Sequence, residues 1–394
     1  MTAHAVRTIP VTTRPGPGTV TPRDLVELAD RRLPRLLRPS GLFCFEVDQR
    51  DPSPGEVLAG PALHGESVRY SIMVVIGALR QRAATGTTSL DVEGHLASVQ
   101  RYRPALGFGD LGLLLWAESR FGHPDVTATI SALERRTDEE LRGLVGMEVA
   151  WIAIGAISAF SAGHPTWQLA DRAMGVVVDR IRPGGRLVMH RSTGRTAART
   201  WRSRFPNFAT EIYSLLALVE SARYGVVDGA LDRARRLADL LIDRQGADGG
   251  WPWLFDARSE RLVEPFEIYS VHQDAMAPMA FLPLADLTGD DRYRRAAYDG
   301  LAWLTGRNPL GRPLVDLERS VVHRSIRRRP ASARLHLAVN TVASSVGVRA
   351  RLDGSELEID RTCRPYHLGW ILEAWSPTVG RSSDADHLAR GVES

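Results

Sequence analysis

The chain has 394 residues, 44% of them hydrophobic and 24% charged, with a formal charge of +4. That length and composition supply a large core and exclude a disordered or collagen-like chain. The small basic excess, carried by Arg and not arranged as a stripe with interleaved aromatics, argues against a nucleic-acid partner and suits an anionic small substrate better.

The first residues, MTAHAVRTIPVTTRPGPG, have no apolar h-region and read as a disordered leader over residues 1–20. Thr21 to Leu37 is amphipathic. Ser67 to about Ala84 is apolar nearly all round, and Ser89 to Tyr102 is an amphipathic partner to it. The same alternation follows: Gly109–Arg120 apolar, Asp125–Arg136 amphipathic, then an apolar segment from Glu148 paired with Trp167–Arg182. Asn207 opens another apolar segment (TEIYSLLALVESARYG), followed by LDRARRLADLLIDRQ. A fifth pair begins near Ser270 and continues through DRYRRAAYDGLAWLTG. A last apolar helix begins at Tyr366. A helix that is apolar on every side must be buried on every side, whereas an amphipathic one keeps a wet face. The repeat therefore predicts six inner helices, starting near 67, 109, 148, 210, 270 and 366, each with an outer partner. Thr21–Leu37 would serve the last and close a ring, giving one domain over 21–376 and a loose tail over 377–394.

Two segments break this rhythm, Arg186–Pro206 and Arg307–Arg364. Both precede inner helices, so both should lie on one rim of the ring and meet there. Within the second, VRARLDGSELEID alternates around Asp353-Gly354-Ser355, which predicts a β-hairpin and confines strand mainly to Val346–Asp360. Cys44 and Cys363 are far apart with no metal-ligand spacing and read as buried small hydrophobes. Asp290-Asp291, after Thr288-Gly289, reads as a helix cap. No cofactor and no metal are expected. No stretch reaches the ~18 apolar residues of a membrane span, and a cytoplasmic location is the default expectation.

Six inner and six outer helices make the chain similar to the (α/α)6 toroids, an all-α class. It includes six-hairpin glycosidases, polysaccharide lyases and sugar epimerases, with terpenoid cyclases as a near relation. The string Gln245-Gly246-Ala247-Asp248-Gly249-Gly250-Trp251 resembles the Gln-x3-Gly-x-Trp turn of terpenoid cyclases, in which the Gln caps a helix and the Trp stacks across the turn. It also resembles a Gly-Gly-Trp-Pro turn of sugar-active toroids. It occurs once, and the Asp-x-Asp-Asp and Asp-Asp-x-x-Asp motifs are absent.

In such a ring the starts of the inner helices line one mouth, where polar side chains are costly unless used or paired. The polar residues there are His64, Glu66, Arg69 and Tyr70, then Asp110, Glu148 and Trp151, then Glu211 and Tyr213. The densest run is Glu264 to Asp274. Glycoside cleavage needs two carboxylates across a bond. Abstraction of a proton beside a uronate carboxylate needs a Tyr or His base and a cation. The catalytic candidates are Glu267, His272, Glu211 and Tyr269. Tyr213, Gln273, Trp201, Arg202, Trp251, Arg364, Tyr366 and His367 are candidates for substrate contact, with Trp201, Trp251 or Trp253 as a sugar-stacking face. Glu267 and His272 lie roughly 140° apart on a straight helix. Glu267 should therefore sit in the loop after Pro265, with His272 and Gln273 in the first turns. The expected activity is that of a carbohydrate-processing enzyme of hydrolase, lyase or uronate-epimerase type, acting on a small-molecule or oligosaccharide substrate. The alternatives are a cyclase acting on a prenyl chain and a non-catalytic glycan-binding toroid.

Overall fold

The computed structural model describes residues 20–48, 62–123, 125–191, 201–348 and 356–391. The expected leader therefore lies outside the described residues, apart from its last position.

All six inner helices form: Val68–Thr85, Phe108–Phe121, Gly146–Ser161, Phe208–Tyr224, the stretch from His272 through Ala277–Thr288, and Pro365–Gly391. Their outer partners are Val92–Gln100, Val126–Glu134, Trp167–Asp179, Ala230–Arg244, Asp291–Leu304 and, for the last, Pro22–Arg32. Neighbouring inner helices pack in order around the ring, and the sixth packs on the first and on Pro22–Arg32. The chain is an (α/α)6 toroid.

Local chemistry sets these boundaries. Thr21 and Asp24 form a capping box at the first helix, and Asn207 Oδ1 accepts from the Thr210 N–H at 2.9 Å. Gly86, Gly122, Gly225 and Gly289 end four inner helices in the left-handed region, the usual glycine stop. Asp290 caps Asp291–Leu304 through the Arg292 N–H, as its place after a Gly turn suggested.

Glycine also permits the closest helix approaches. A Cβ on Gly77 would stand 2.0 Å from the Gly369 carbonyl oxygen, and one on Gly155 would stand 2.3 Å from that of Gly112. The first joint closes the ring between the first and sixth inner helices, and the second locks the second against the third. Trp151, Trp303, Trp370 and Trp375 are fully buried among the helices, and both cysteines are buried and unbridged. Among the described residues no helix is long and apolar enough to cross a membrane.

Strand is not confined to Val346–Asp360. Short sheets ring one mouth: Thr362–Cys363, Glu46–Asp48 and Leu63–His64 form one, and Ile268–Tyr269, Ser325–Arg328 and Leu357–Asp360 form another. Leu254–Asp256 pairs with Arg261–Glu264. Leu357–Asp360, the second arm of the expected hairpin, pairs at long range with Ser325–Arg328, with Ile359 opposite Ile326. The hairpin's first arm from residue 349 and its turn, Asp353–Ser355, lie outside the described residues. The second insertion also contains a helix, Pro330–Ser345, that periodicity missed. The stretch from Pro377, read as a tail, continues the sixth inner helix to Gly391.

The two insertions meet. The Trp201 indole N–H donates to Ser345 Oγ at 3.0 Å, and Arg204 donates to the Ser344 carbonyl at 3.2 Å. Both also converge on buried Asp256, whose carboxylate accepts from Arg204 Nε at 2.6 Å and from Ser344 Oγ at 2.9 Å.

Candidate functional site

The inner helices run parallel, so their N-terminal ends gather at the sheet-bearing mouth. A cavity of about 230 Å3 opens there. Arg69, Tyr70 and Met73 line it from the first inner helix, Met147 and Trp151 from the third, Asn207, Ala209 and Tyr213 from the start of the fourth. Tyr269, His272 and Met276 come from the fifth segment, Tyr366 from the sixth, and Trp253 and Arg324 from the rim.

Two guanidiniums bracket this space. Arg69 binds Asp110 through Nε at 2.5 Å and Nη2 at 3.2 Å, stands 3.6 Å from Glu148, and lies over the Trp151 ring at 5.2 Å. Three inner helices are thereby tied at one charge. Arg324 lies over the Tyr269 ring at 5.3 Å, 4.0 Å from Glu267 and 3.9 Å from Glu46. Burial works against its charge, but Tyr269, Tyr366 and Glu267 around it outweigh that and hold it more firmly protonated than a free arginine.

His272 sits in the first turn of the fifth inner segment, which is wound as a π-helix over His272–Met276. Such wide turns recur at functional sites. Its ring is packed against Phe208 at 4.8 Å, Tyr269 at 5.1 Å and Trp253 at 6.0 Å. Its Nδ1 is buried without a hydrogen-bond partner among the described residues. Burial, with a smaller contribution from His367, pushes its pKa down to about 3. The imidazole is thus neutral and able to accept a proton.

Tyr269 is the opposite case. Burial and the neighbouring Glu267 push its hydroxyl pKa up, so it stays protonated. It donates to Glu267 Oε2 at 3.0 Å, while Ser325 Oγ donates to Glu267 Oε1 at 2.5 Å. Glu267 lies in the rim before the helix, as expected from Pro265. It stands behind Tyr269 and Arg324 and does not line the cavity. Tyr213 and Tyr366 do line it, and burial raises both hydroxyls. Tyr366 packs on Tyr70 at 4.6 Å.

The other candidates stand elsewhere. Glu211 is fully buried and accepts from the Val188 N–H at 3.0 Å; burial raises its pKa well above the ordinary value. It does not line the cavity. Gln273 accepts from the Trp251 N–H at 2.7 Å and donates to the Tyr269 carbonyl at 2.9 Å, so it fastens the Gly-Gly-Trp turn to the site from behind. Trp251 is buried and stacks on Phe281 at 5.2 Å. His367 Nε2 lies 2.7 Å from Asp274 Oδ1, a buried pair beneath the cavity. Arg364 binds Glu46 at 2.6 Å and covers Phe45 at 4.0 Å. Trp201 and Arg202 are exposed where the insertions meet.

Arg324 was missed because it lies in an insertion without periodicity. Its only sequence signal was its place in an Arg-rich run. Among the described residues no group of three His, Cys, Asp or Glu is placed to hold a metal ion.

The structure is similar over most of its length to solved sugar-active proteins. It matches the unsaturated glucuronyl hydrolase specific for heparin at 15% identity, covering 92% of this chain and 98% of that one, with a TM-score of 0.58. It matches a sugar epimerase from a ruminal bacterium at 9% identity, over 90% and 97% of the two chains, with a TM-score of 0.60. At these identities the likeness is one of fold. No protein-family model matches the chain, and no curated protein matches it.

Proposed function

We propose that this toroid is a carbohydrate-processing enzyme whose N-terminal cavity binds an acidic sugar and moves a proton on the carbon beside its carboxylate. One observation carries this reading: the cavity sets two guanidiniums beside a buried imidazole and several tyrosines, and among the described residues none that lines it is a carboxylate. The nearby acids are committed, Asp110 and Glu148 to Arg69, and Glu267 to Tyr269, Ser325 and Arg324. Glycoside hydrolysis by a carboxylate pair needs two acids facing the bond. Here the anions stand behind the cations instead.

In the proposed reaction Arg324 and Arg69 hold the substrate carboxylate. His272 takes the proton from the adjacent carbon. The C–H pair moves into the carboxylate, where the guanidiniums stabilise the added charge. Tyr269 is the proton donor, since the environments of the two residues push their pKa values apart. If the pair returns to the same carbon from the other face, the product is an epimer. If it expels the oxygen on the next carbon, a double bond forms and the sugar chain is cut. A substrate anion also raises the imidazole pKa toward the working range. The fold-level likeness to a glucuronyl hydrolase supports the choice of an acidic sugar, and that to a sugar epimerase supports a sugar substrate.

Six aromatic rings line the cavity, as a prenyl cyclase would need. The two guanidiniums that bracket the cavity oppose a carbocation, which argues against that alternative.

The test is incubation with glucuronate- and galacturonate-containing oligosaccharides in heavy water, followed by NMR and mass spectrometry. Deuterium on the carbon beside the carboxylate, or an unsaturated product, is expected. Hydrolysis of the glycosidic bond with no deuterium on that carbon and no double bond would overturn the reading.

A further inference from the structure

The other end of the ring holds a second and larger cavity, of about 360 Å3, within the size range of small-molecule sites. It is lined by the C-terminal halves of the inner helices. Three of them serve both cavities one turn apart: Trp151 faces the first and Ile154 the second, Tyr213 and Leu216 divide likewise, and so do Met276 and Met279. Three residues along a helix is about 4.5 Å, so the two spaces lie back to back. Buried Trp370 bridges them, stacked on Trp116 of the second cavity at 5.7 Å and 6.2 Å from Tyr213 of the first.

The second cavity carries four guanidiniums against three carboxylates. Three of the arginines are paired. Arg120 grips Glu373 with both nitrogens, one at 2.8 Å. Arg223 binds Glu220 at 3.0 Å, and Arg381 lies 3.4 Å from Asp286. Arg120 and Arg223 also belong to the last turns of their helices, where a cation answers the free carbonyls.

Arg80 has neither explanation. It lies five residues before the end of Val68–Thr85, whose last-turn cation is Arg82. No ion pair or hydrogen bond holds its guanidinium among the described residues, and its Nε is buried without a partner. Burial lowers its pKa; the charge of Glu373, and after it that of Glu220, works against this, while Arg120 and Arg223 add to it. Glu373 is already held on both oxygens by Arg120, and Glu220 is itself shifted up by burial, which weakens its compensation.

We propose that this opposite mouth is a second ligand site, for the phosphate or carboxylate group of a small molecule, with Arg80 as its charge partner. Arg80 is half-buried on the cavity wall with its Nε enclosed and unpaired, and an incoming anion supplies the hydrogen-bonded partner it lacks. The bidentate fork of Arg suits both groups. The site stands apart from the proposed reaction, because the Trp370 layer separates it from His272 and Arg324.

Calorimetric titration with inorganic phosphate and, separately, with glucuronate tests it. The protein carries Arg324→Gln to silence the first mouth. At least one of the two anions is expected to bind saturably, at one per chain, and Arg80→Gln added to that background is expected to weaken it at least tenfold. The arm that binds identifies the group. No binding of either anion, or binding that Arg80→Gln leaves unchanged, would overturn the proposal. So would a lowered Tm in ligand-free Arg80→Gln, because it would show that the guanidinium serves the fold. The expected Tm is unchanged or higher.

Discussion

Glu267 touches the proposed chemistry through others. Its carboxylate fixes the Tyr269 hydroxyl and offsets the Arg324 charge. Glu267→Gln keeps the shape but removes the charge and leaves one oxygen to serve two donors. Turnover is expected to fall by about 10²-fold, with Tm changed by only a few degrees, as kinetics and a thermal melt will show. His272 makes the second prediction at this scale. Unfolded, it binds a proton below about pH 6.5; folded, it stays neutral down to about pH 3. The unfolded state therefore binds more protons across that window. Stability from this group is complete above about pH 6.5 and drains as pH falls toward 3. Glu211 acts with the opposite sign, since its raised pKa favours the folded state at low pH. Only the difference between proteins isolates His272. Urea melts of wild type and His272→Gln should show the variant losing up to roughly 2 kcal/mol less between about pH 6.5 and pH 5. Equal losses would contradict a buried neutral imidazole.

At the scale of elements, the Gln245–Trp251 turn is structural. Gln245 Nε2 donates to the Gly249 carbonyl at 2.8 Å and to the Ala296 carbonyl at 3.0 Å, joining the end of one outer helix to the next. Gln245→Ala is expected to cost about 1–3 kcal/mol, read by chemical denaturation. Activity per folded molecule should remain near wild type, since no atom of Gln245 reaches the cavity. The missed helix Pro330–Ser345 has a physical reason. Its inward face is polar, with Asn340, Thr341 and Ser344 buried, and its outward face carries Leu335 at 66% and Val342 at 60% exposure. Asn340 donates to buried Glu264 at 2.7 Å. A search for an apolar inner stripe finds such a helix inside out and passes over it.

At the scale of the whole molecule, ring closure depends on backbone contact between the first and sixth inner helices. A Cβ on Gly369 would stand 2.7 Å from Val74 Cα and 2.8 Å from the Met73 carbonyl oxygen. Neither backbone can yield without prising the ring apart. Gly369→Ala is expected to cost more than about 3 kcal/mol and to lower Tm sharply in calorimetry. The same change at Gly163, a left-handed position with nothing within 4 Å, should cost only about 1 kcal/mol. Similar melts for the two would remove the joint from the explanation of closure.

The repeated alternation of all-apolar and amphipathic helices by itself determined the ring, its order of inner and outer helices and the mouth at which polar residues gather. Burial on every side or on one side is written in local periodicity, and so is the cap or glycine that ends each helix. It also pointed to Glu267 in the rim and His272 in the first turn, because Glu264, just before Pro265, is biased away from helix and the chain turns there. Tertiary structure alone decided which of those polar residues share a cavity. Glu211, Gln273, Trp251 and His367 sit at inner-helix starts or their turns, yet each is turned to a buried backbone group, ring or carboxylate, whereas Arg324 arrives from an aperiodic insertion 52 residues after His272. Such choices depend on which way a side chain points from a ring-packed helix and on long-range strand pairings such as Ile326 with Ile359. Neither is encoded in the spacing of residues along the chain.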